Sequence, residues 1–109
     1  MNESAIKIWN EERNANISKV MANIADVSTM QNFLRDIMTE KEIDEIAARL
    51  QAASMLKVGK TYASIVKQTG LSSRTVARIS DWLKNGAKGY DAALTIAEKH
   101  HIHLSPARD

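Results

Sequence analysis

Apolar residues recur every three or four positions along most of the chain, which is the spacing of one face of an α-helix. Residues 3–24 predict one long helix, although Arg13 and Asn14 interrupt its apolar stripe. That stripe consists of Ile6, Trp9, Ile17, Val20, Met21 and Ile24.

Two more helices are predicted next, and each starts with a capping box. In a capping box, a hydroxyl side chain accepts from the backbone N–H three residues later, and the carboxylate or amide side chain of that later residue accepts from the backbone N–H of the first. Ser28 and Gln31 fit such a box at the start of a second helix over about 28–37. Thr39 and Glu42 fit another, and the third helix then runs to about residue 58. Gly59 is a natural stop because glycine adopts the left-handed conformation that ends many helices.

Residues 61–85 predict a short helix, a glycine turn and a second helix. Thr61 caps the first helix, over about 62–69, and Ser72 caps the second, over about 73–85. Gly70 supplies the positive φ that the turn between them needs. The apolar residues that would hold the two helices at a steep angle are Ile65, Val66, Leu71, Val76 and Ile79. This is the layout of a helix-turn-helix, which places its second helix in the major groove of DNA.

A turn-rich break over 85–89 precedes a final helix from about Tyr90 to His101. We therefore expect an all-α fold of about six helices that forms one structural domain. Within it, residues 1–37 are expected to be dimerisation helices, 38–101 the helix-turn-helix core and 102–109 a frayed tail.

Composition narrows the class of protein. The chain has 109 residues and no cysteine, so one domain without disulfides is expected. It has no apolar run of the roughly 18 residues that a membrane span needs, and its first residues do not resemble a signal peptide. These features predict a soluble cytoplasmic protein with no membrane association.

Charge is distributed unevenly. Residues 1–56 hold 6 basic and 9 acidic side chains, whereas residues 57–90 hold 7 basic side chains and one acidic. The positive charge is therefore concentrated on the helix-turn-helix. A local basic patch attracts polyanions even when the whole chain is near neutral.

The polar side chains of this segment are candidate contacts to double-stranded DNA. Arg74 is suited to a bidentate contact with guanine, and Ser73 and Thr75 to contacts with bases or phosphate. The candidates for phosphate contacts that set the register are Thr61, Tyr62, Lys67 and Lys84. Gln68, Ser72 and Arg78 complete the predicted surface. The alternative is a pair of surface helices with a solvated basic face.

The apolar stripes of the first two helices need a cover. In a chain this short, a second copy of the chain is the expected cover, and Trp9 is then a residue of the dimer core rather than a platform for a ligand. The alternative is a single monomeric bundle.

Several segments resemble the Trp repressor superfamily, in particular its YerC/YecD-like branch. They are Met-Thr-Glu-Lys-Glu at 38–42, Ala-Arg at 48–49, Leu-Lys-Val-Gly-Lys-Thr-Tyr at 56–62, Arg-Thr-Val-Ala-Arg at 74–78, Leu-Lys at 83–84 and Gly-Ala-Lys-Gly-Tyr at 86–90. The resemblance covers about residues 38–94. It implies an intertwined all-α homodimer whose two helix-turn-helix units read half-sites about 34 Å apart. It also implies a sequence-specific transcriptional regulator that acts as a repressor.

The resemblance further implies positions for an effector pocket. Two arginines and a threonine of the family's tryptophan corepressor site fall on Arg49, Arg78 and Thr39. Ile79 and Trp82 stand where the repressor has a glycine and a serine, and their bulk predicts that free L-tryptophan does not bind. Either Trp82 fills the pocket itself, or it packs on the core of its own helix.

The two arginines have other possible roles. They can hold another small anion. Alternatively, Arg49 pairs with Glu42 or Glu45, and Arg78 contacts a DNA phosphate.

Other functions receive less support. His100, His101 and His103 can ligate a metal, but no carboxylate or cysteine completes a site by spacing, so a solvated tail is the preferred interpretation. No cofactor motif and no nucleophile with a matched base is present, so no cofactor and no enzymatic activity are expected. The alternative function is a protein-interaction module that keeps the fold without binding DNA.

Overall fold

The computed structural model describes residues 6–105. From residue 8 to residue 105, a short 3₁₀ turn, Ile8–Asn10, precedes six α-helices. These are α1 (Glu12–Asn23), α2 (Val27–Ile37), α3 (Glu40–Lys57), α4 (Tyr62–Thr69), α5 (Ser73–Asn85) and α6 (Gly89–Lys99). No strand occurs between residues 6 and 105, so the predicted all-α class is confirmed. The chain divides into two compact units, one ending at Ile43 and the other starting at Asp44.

The prediction of one helix over 3–24 is wrong. Glu11 is extended, with φ −76° and ψ 122°, and it separates the 3₁₀ turn from α1. The side-chain amide of Asn14 donates a hydrogen bond to the carbonyl of Ile8 at 3.0 Å. Asparagine competes with the helix for backbone partners in this way, and Asn14 is one of the residues that interrupt the apolar stripe.

The predicted cap of α2 is also wrong, because Asp26 rather than Ser28 occupies that position. The carboxylate of Asp26 accepts hydrogen bonds from the backbone N–H of Thr29 at 2.9 Å and from its hydroxyl at 3.0 Å. These bonds lower the pKa of Asp26 below its ordinary value of 3.8. Aspartate is as good a cap as serine, and here it starts the helix one residue earlier than predicted.

The predicted signals at both ends of α3 are confirmed. The hydroxyl of Thr39 accepts from the backbone N–H of Glu42 at 3.1 Å, and the carboxylate of Glu42 accepts from the N–H of Thr39 at 2.9 Å. At the other end, Gly59 has φ +85°, and the N–H of Lys60 bonds the carbonyl of Met55 at 3.0 Å. This is the left-handed glycine ending that closes many helices.

The second unit contains a small aliphatic core, which lies mainly between α3, α4 and α5. Its buried members are Ala52, Ala53, Met55, Ile65, Val76 and Ile79. Two alanines side by side on α3 leave room for the larger side chains of α4 and α5. Leu56, Val66, Leu71, Leu83, Tyr90 and Leu94 pack against this core and remain partly accessible. The core therefore fixes the helix-turn-helix helices.

The first unit has no comparable core. No side chain between residues 6 and 43 is fully buried, and Trp9 remains 50% exposed. Apolar side chains of this size are stabilised by about 1.5–3 kcal/mol each when they are fully removed from water. Trp9 of the 3₁₀ turn and Val20 of α1 therefore keep about half of their surface in contact with solvent in the single chain, at 50% and 51% exposure.

The C-terminal segment is tied back to the second unit. The helix α6 ends at Lys99, two residues before the predicted end, where His101 adopts φ 55° and the N–H of Ile102 bonds the carbonyl of Ala97 at 2.8 Å. The hydroxyls of Ser54 and Ser105 share a hydrogen bond at 2.6 Å. Residues 106–109 of the segment expected to fray lie outside the described residues.

None of the helices described between residue 6 and residue 105 is both long and apolar enough to cross a bilayer.

Candidate nucleic-acid interface

Helix α4 and the turn after it are built by local chemistry. The hydroxyl of Thr61 accepts from the backbone N–H of Ser64 at 3.1 Å, which confirms the predicted cap. Gly70 has φ +76°, and its N–H bonds the carbonyl of Val66 at 3.0 Å. A residue with a Cβ would be strained at this φ, so the glycine turn is confirmed with its predicted cause.

The start of α5 is held by a pair of hydroxyls. Ser72 accepts from the backbone N–H of Thr75 at 3.1 Å, and its hydroxyl donates to that of Thr75 at 3.0 Å. Ser72 is therefore the helix cap, as predicted, and it is also one of the residues predicted to contact DNA. The hydroxyl proton of Thr75 remains available as a donor to a phosphate or a base.

The two faces of α5 differ in character. Val76 and Ile79 are buried in the core, whereas Ser73, Arg74 and Arg78 are exposed. The arginines are four residues apart, so they lie one above the other on the same face. The structure thus leaves Ser73, Arg74 and Arg78 exposed at the beginning of α5, whereas Thr75, the third residue predicted to contact bases, is only partly accessible.

The predicted phosphate contacts are spread over α4 and the end of α5. Thr61, Lys67 and Lys84 are exposed, and Tyr62 at the start of α4 is 43% exposed. Gln68 is only partly accessible, and its side-chain amide donates to the hydroxyl of Ser64 at 3.2 Å. Gln68 is accordingly less available to DNA than Thr61, Tyr62, Lys67 and Lys84.

One lysine of the basic segment is engaged elsewhere. Lys57 at the end of α3 forms an ion pair with Asp91 of α6, with Nζ and Oδ1 3.0 Å apart. The basic side chains of α4 and α5 are Lys67, Arg74, Arg78 and Lys84, and all four are exposed. The surface that faces away from the core therefore carries concentrated positive charge.

A feature that sequence analysis missed lies on the same helix. Asp81 accepts a hydrogen bond from the side-chain amide of Asn85 at 2.9 Å, and both residues are exposed. The signal was available, because Asp81 is the one acidic residue between positions 57 and 90.

The positions implied for an effector pocket have different environments. Ile79 is only 3% exposed and belongs to the core, whereas Trp82 is 60% exposed. Arg49 is exposed on α3. Burial raises the pKa of the Tyr90 hydroxyl above its ordinary value of 10.0, and the positive charge of Arg49 partly offsets this rise. The hydroxyl of Thr39, in the first unit, caps α3.

A cleft of about 660 Å³ lies elsewhere in the second unit. Residues of α3, α6 and the following segment line it, and it includes the ion pair of Lys57 and Asp91. None of the residues implied for the effector pocket lines this cleft. His101 and His103 do, but within residues 6–105 no group of three or more histidine, cysteine or carboxylate side chains is placed to hold a metal ion.

Comparisons with known proteins agree with this geometry. The Trp repressor protein family matches residues 13–98. YerC of Bacillus subtilis (strain 168), a protein described as uncharacterized, is 36% identical over 72 residues, which are 66% of this chain and 69% of YerC.

Two solved structures have the same fold. A TrpR-like protein from Eubacterium eligens superposes with a TM-score of 0.75 at 26% identity, covering 86% of this chain and 94% of that one. A candidate Trp repressor from Staphylococcus aureus has a TM-score of 0.70 at 28% identity, covering 82% and 86%. With a helix-turn-helix of the same architecture and a family match over most of its length, the chain belongs to the Trp repressor family.

Proposed function

We propose that the protein is a cytoplasmic, sequence-specific regulator of transcription that binds double-stranded DNA through α4 and α5 and acts as a repressor. The observation that carries this proposal is the surface of α5, where Ser73, Arg74 and Arg78 are exposed while Val76 and Ile79 fix the helix from below. Family membership supports the same function, because the Trp repressor family consists of regulators with a helix-turn-helix.

In the proposed complex, α4 crosses the DNA backbone and α5 enters the major groove with its first turn leading. Arg74 donates two hydrogen bonds to guanine, and Ser73 and Thr75 contact bases or phosphate. Thr61, Tyr62, Lys67 and Lys84 bind phosphates, which sets the register without reading the sequence.

The functional form is proposed to be a homodimer. Trp9 of the 3₁₀ turn and Val20 of α1 are about half accessible, and they give the first unit an apolar surface that a second copy would cover. Two copies related by a two-fold axis would place their α5 helices on half-sites about 34 Å apart. The operator is then a palindrome.

The proposed regulator is not controlled by L-tryptophan. Ile79 occupies the core, and Trp82 places an indole at the other position where the resemblance requires a small residue. Both side chains oppose the entry of a free indole ring. Arg49 and Arg78 retain the charge to hold a different small anion.

Selection of bound duplexes from a random DNA library tests this proposal, followed by titration of the selected duplex in 50–200 mM salt. We expect a palindromic site and an affinity that falls steeply with salt, because each phosphate contact releases counterions. Failure to bind any duplex at about 50 mM salt would contradict the proposal.

A second candidate is a protein-interaction module, which the exposed aromatic side chains of the helix-turn-helix favour. Tyr62 and Trp82 are 43% and 60% exposed in the single chain. Aromatic residues are enriched at protein interfaces. The titration separates the two functions, because a module of this kind has no salt-dependent affinity for duplex DNA.

A further inference from the structure

We infer that Asp81 is a specificity-determining residue of the DNA interface, whose carboxylate accepts a hydrogen bond from the exocyclic amine of a cytosine in the major groove. The inference rests on the proposed DNA-binding function and extends it to a residue that the predicted interface did not include.

Asp81 lies on the exposed face of α5. Arg74, Arg78, Asp81 and Asn85 are separated by four, three and four residues, so they form one stripe along the helix. All four are exposed, while Val76 and Ile79 occupy the opposite, buried face. Asp81 therefore lies in line with the two arginines of the proposed reading surface.

The charge of Asp81 is unfavourable for DNA binding in general. It is the one acidic residue between positions 57 and 90, a segment with seven basic residues. A carboxylate cannot donate a hydrogen bond to a phosphate, and its charge repels the DNA backbone. Asp81 therefore lowers the affinity for DNA unless a base offers it a donor.

Within the helix, Asp81 has only weak stabilising partners. Arg78 and Lys84 lie three residues before and after it, and exposed pairs of opposite charge at this spacing contribute modestly to helix stability. The hydrogen bond to the amide of Asn85 is an exposed contact between neighbouring turns, which contributes modestly to helix stability. An asparagine at position 81 would also accept this bond.

The pairing with Asn85 prepares the carboxylate for recognition. The Nδ2 of Asn85 binds Oδ1 of Asp81 at 2.9 Å, which restricts the side chain and leaves Oδ2 to accept another bond. In the major groove, cytosine presents its N4 amine as a donor, whereas guanine presents acceptors at N7 and O6. An acceptor-only side chain selects cytosine and rejects guanine, which complements the selection of guanine by Arg74.

The experiment compares wild-type protein with Asp81→Asn on a duplex selected by the wild type and on an unrelated duplex. Asparagine keeps the size of the side chain but adds a donor, and its usual partner is adenine. We expect the ratio of specific to non-specific affinity to fall about tenfold, the effect of losing one base contact. A library selected with the variant should lose the preference for cytosine at one position in each half-site.

Glu98→Gln on α6 is the matched control, because it changes the net charge by the same unit outside α5. Circular dichroism of both variants should show wild-type helicity. Two results would overturn the inference while the DNA-binding proposal stands. One is that Asp81→Asn and Glu98→Gln raise the affinity for the selected and the unrelated duplex by the same factor. The other is that Asp81→Asn leaves the sequence preference unchanged. If the wild type binds no duplex, the DNA-binding proposal itself fails and this inference fails with it.

Discussion

The hydroxyl of Ser72 holds Thr75 twice, by accepting its backbone N–H at 3.1 Å and by donating to its hydroxyl at 3.0 Å. The same contact starts α5 and orients Thr75, a proposed DNA contact. Local folding and the DNA-reading surface thus depend on the same serine.

Replacing Ser72 with alanine should lower the free energy of unfolding by about 1 kcal/mol, the usual effect of losing a helix cap. Ser72→Asp should retain most of the stability, because aspartate also caps helices. Chemical denaturation measures both variants. The control is Ser73→Ala at the first position of α5, which should change stability little; an equal loss in both alanine variants would contradict the capping role.

Gly86 is predicted to be intolerant of a side chain. A Cβ at this position would lie 2.5 Å from the backbone carbonyl oxygen of Trp82. This oxygen is part of the α5 backbone, so it cannot move away as the end of a side chain could. Gly86→Ala should therefore lower the melting temperature, with a loss of about 1–3 kcal/mol, the range for overpacking.

Gly89→Ala is the control for this substitution. A Cβ at Gly89 meets nothing within 4 Å, and alanine is a better helix former than glycine. This variant should be as stable as the wild type or more stable. Equal behaviour of the two alanine variants would show that the close approach at Gly86 is not limiting.

The acidic caps predict a loss of stability in acid. Hydrogen bonds from Thr39 lower the pKa of Glu42, and those from Thr29 lower the pKa of Asp26. A carboxylate with a lowered pKa in the folded state stabilises the fold above its ordinary pKa. That contribution should be lost as the pH falls below about 4.5 for Glu42 and 3.8 for Asp26, through the lower folded values.

Melting temperatures between pH 7 and pH 3 test this dependence. Glu42→Gln keeps the reciprocal hydrogen bonds of the box without the charge, and it should flatten the curve below pH 4.5. Glu40→Gln, on an exposed neighbour in the same turn, is the control. A Glu42→Gln curve that falls as steeply as that of the wild type would contradict the role of the box.

Free L-tryptophan is expected not to bind. Calorimetric titration with millimolar L-tryptophan should give no saturable heat, because Ile79 is in the core and Trp82 adds bulk beside Arg78. The double variant Ile79→Gly, Trp82→Ser restores the small residues of the resemblance and tests whether volume is the obstacle. Saturable heat with the wild type would contradict the expectation.

Features set by a few neighbouring residues could be predicted from the sequence. The caps at Thr39, Thr61 and Ser72 need only a hydroxyl at the correct offset, and the turn at Gly70 needs only a residue that tolerates positive φ. The buried Ile65, Val76 and Ile79 followed from helical spacing. The family resemblance supplied the fold.

Features that depend on a choice among several partners could not be predicted. At the break around Glu11, the amide of Asn14 bonds a carbonyl six residues earlier, a partner that helical spacing does not predict. Asp26 and Ser28 are both good caps, and the backbone decides between them. Asp81 stood out by its charge, and helical spacing alone places it on the face of Arg78, but its hydrogen bond to Asn85 is one of several possible contacts and needed the structure.

Substitution of Arg74 tests the central claim, that α5 reads DNA, most directly. The measurement is the affinity of wild type, Arg74→Ala and the control Lys99→Ala for a selected duplex and for an unrelated duplex, by fluorescence anisotropy at fixed salt. Arg74→Ala should weaken binding to the selected duplex by about 1–3 kcal/mol and reduce discrimination at one base pair of each half-site. Lys99→Ala, on α6, should leave that discrimination intact. Unchanged affinity of Arg74→Ala for the selected duplex would contradict the proposed placement of α5 in the major groove.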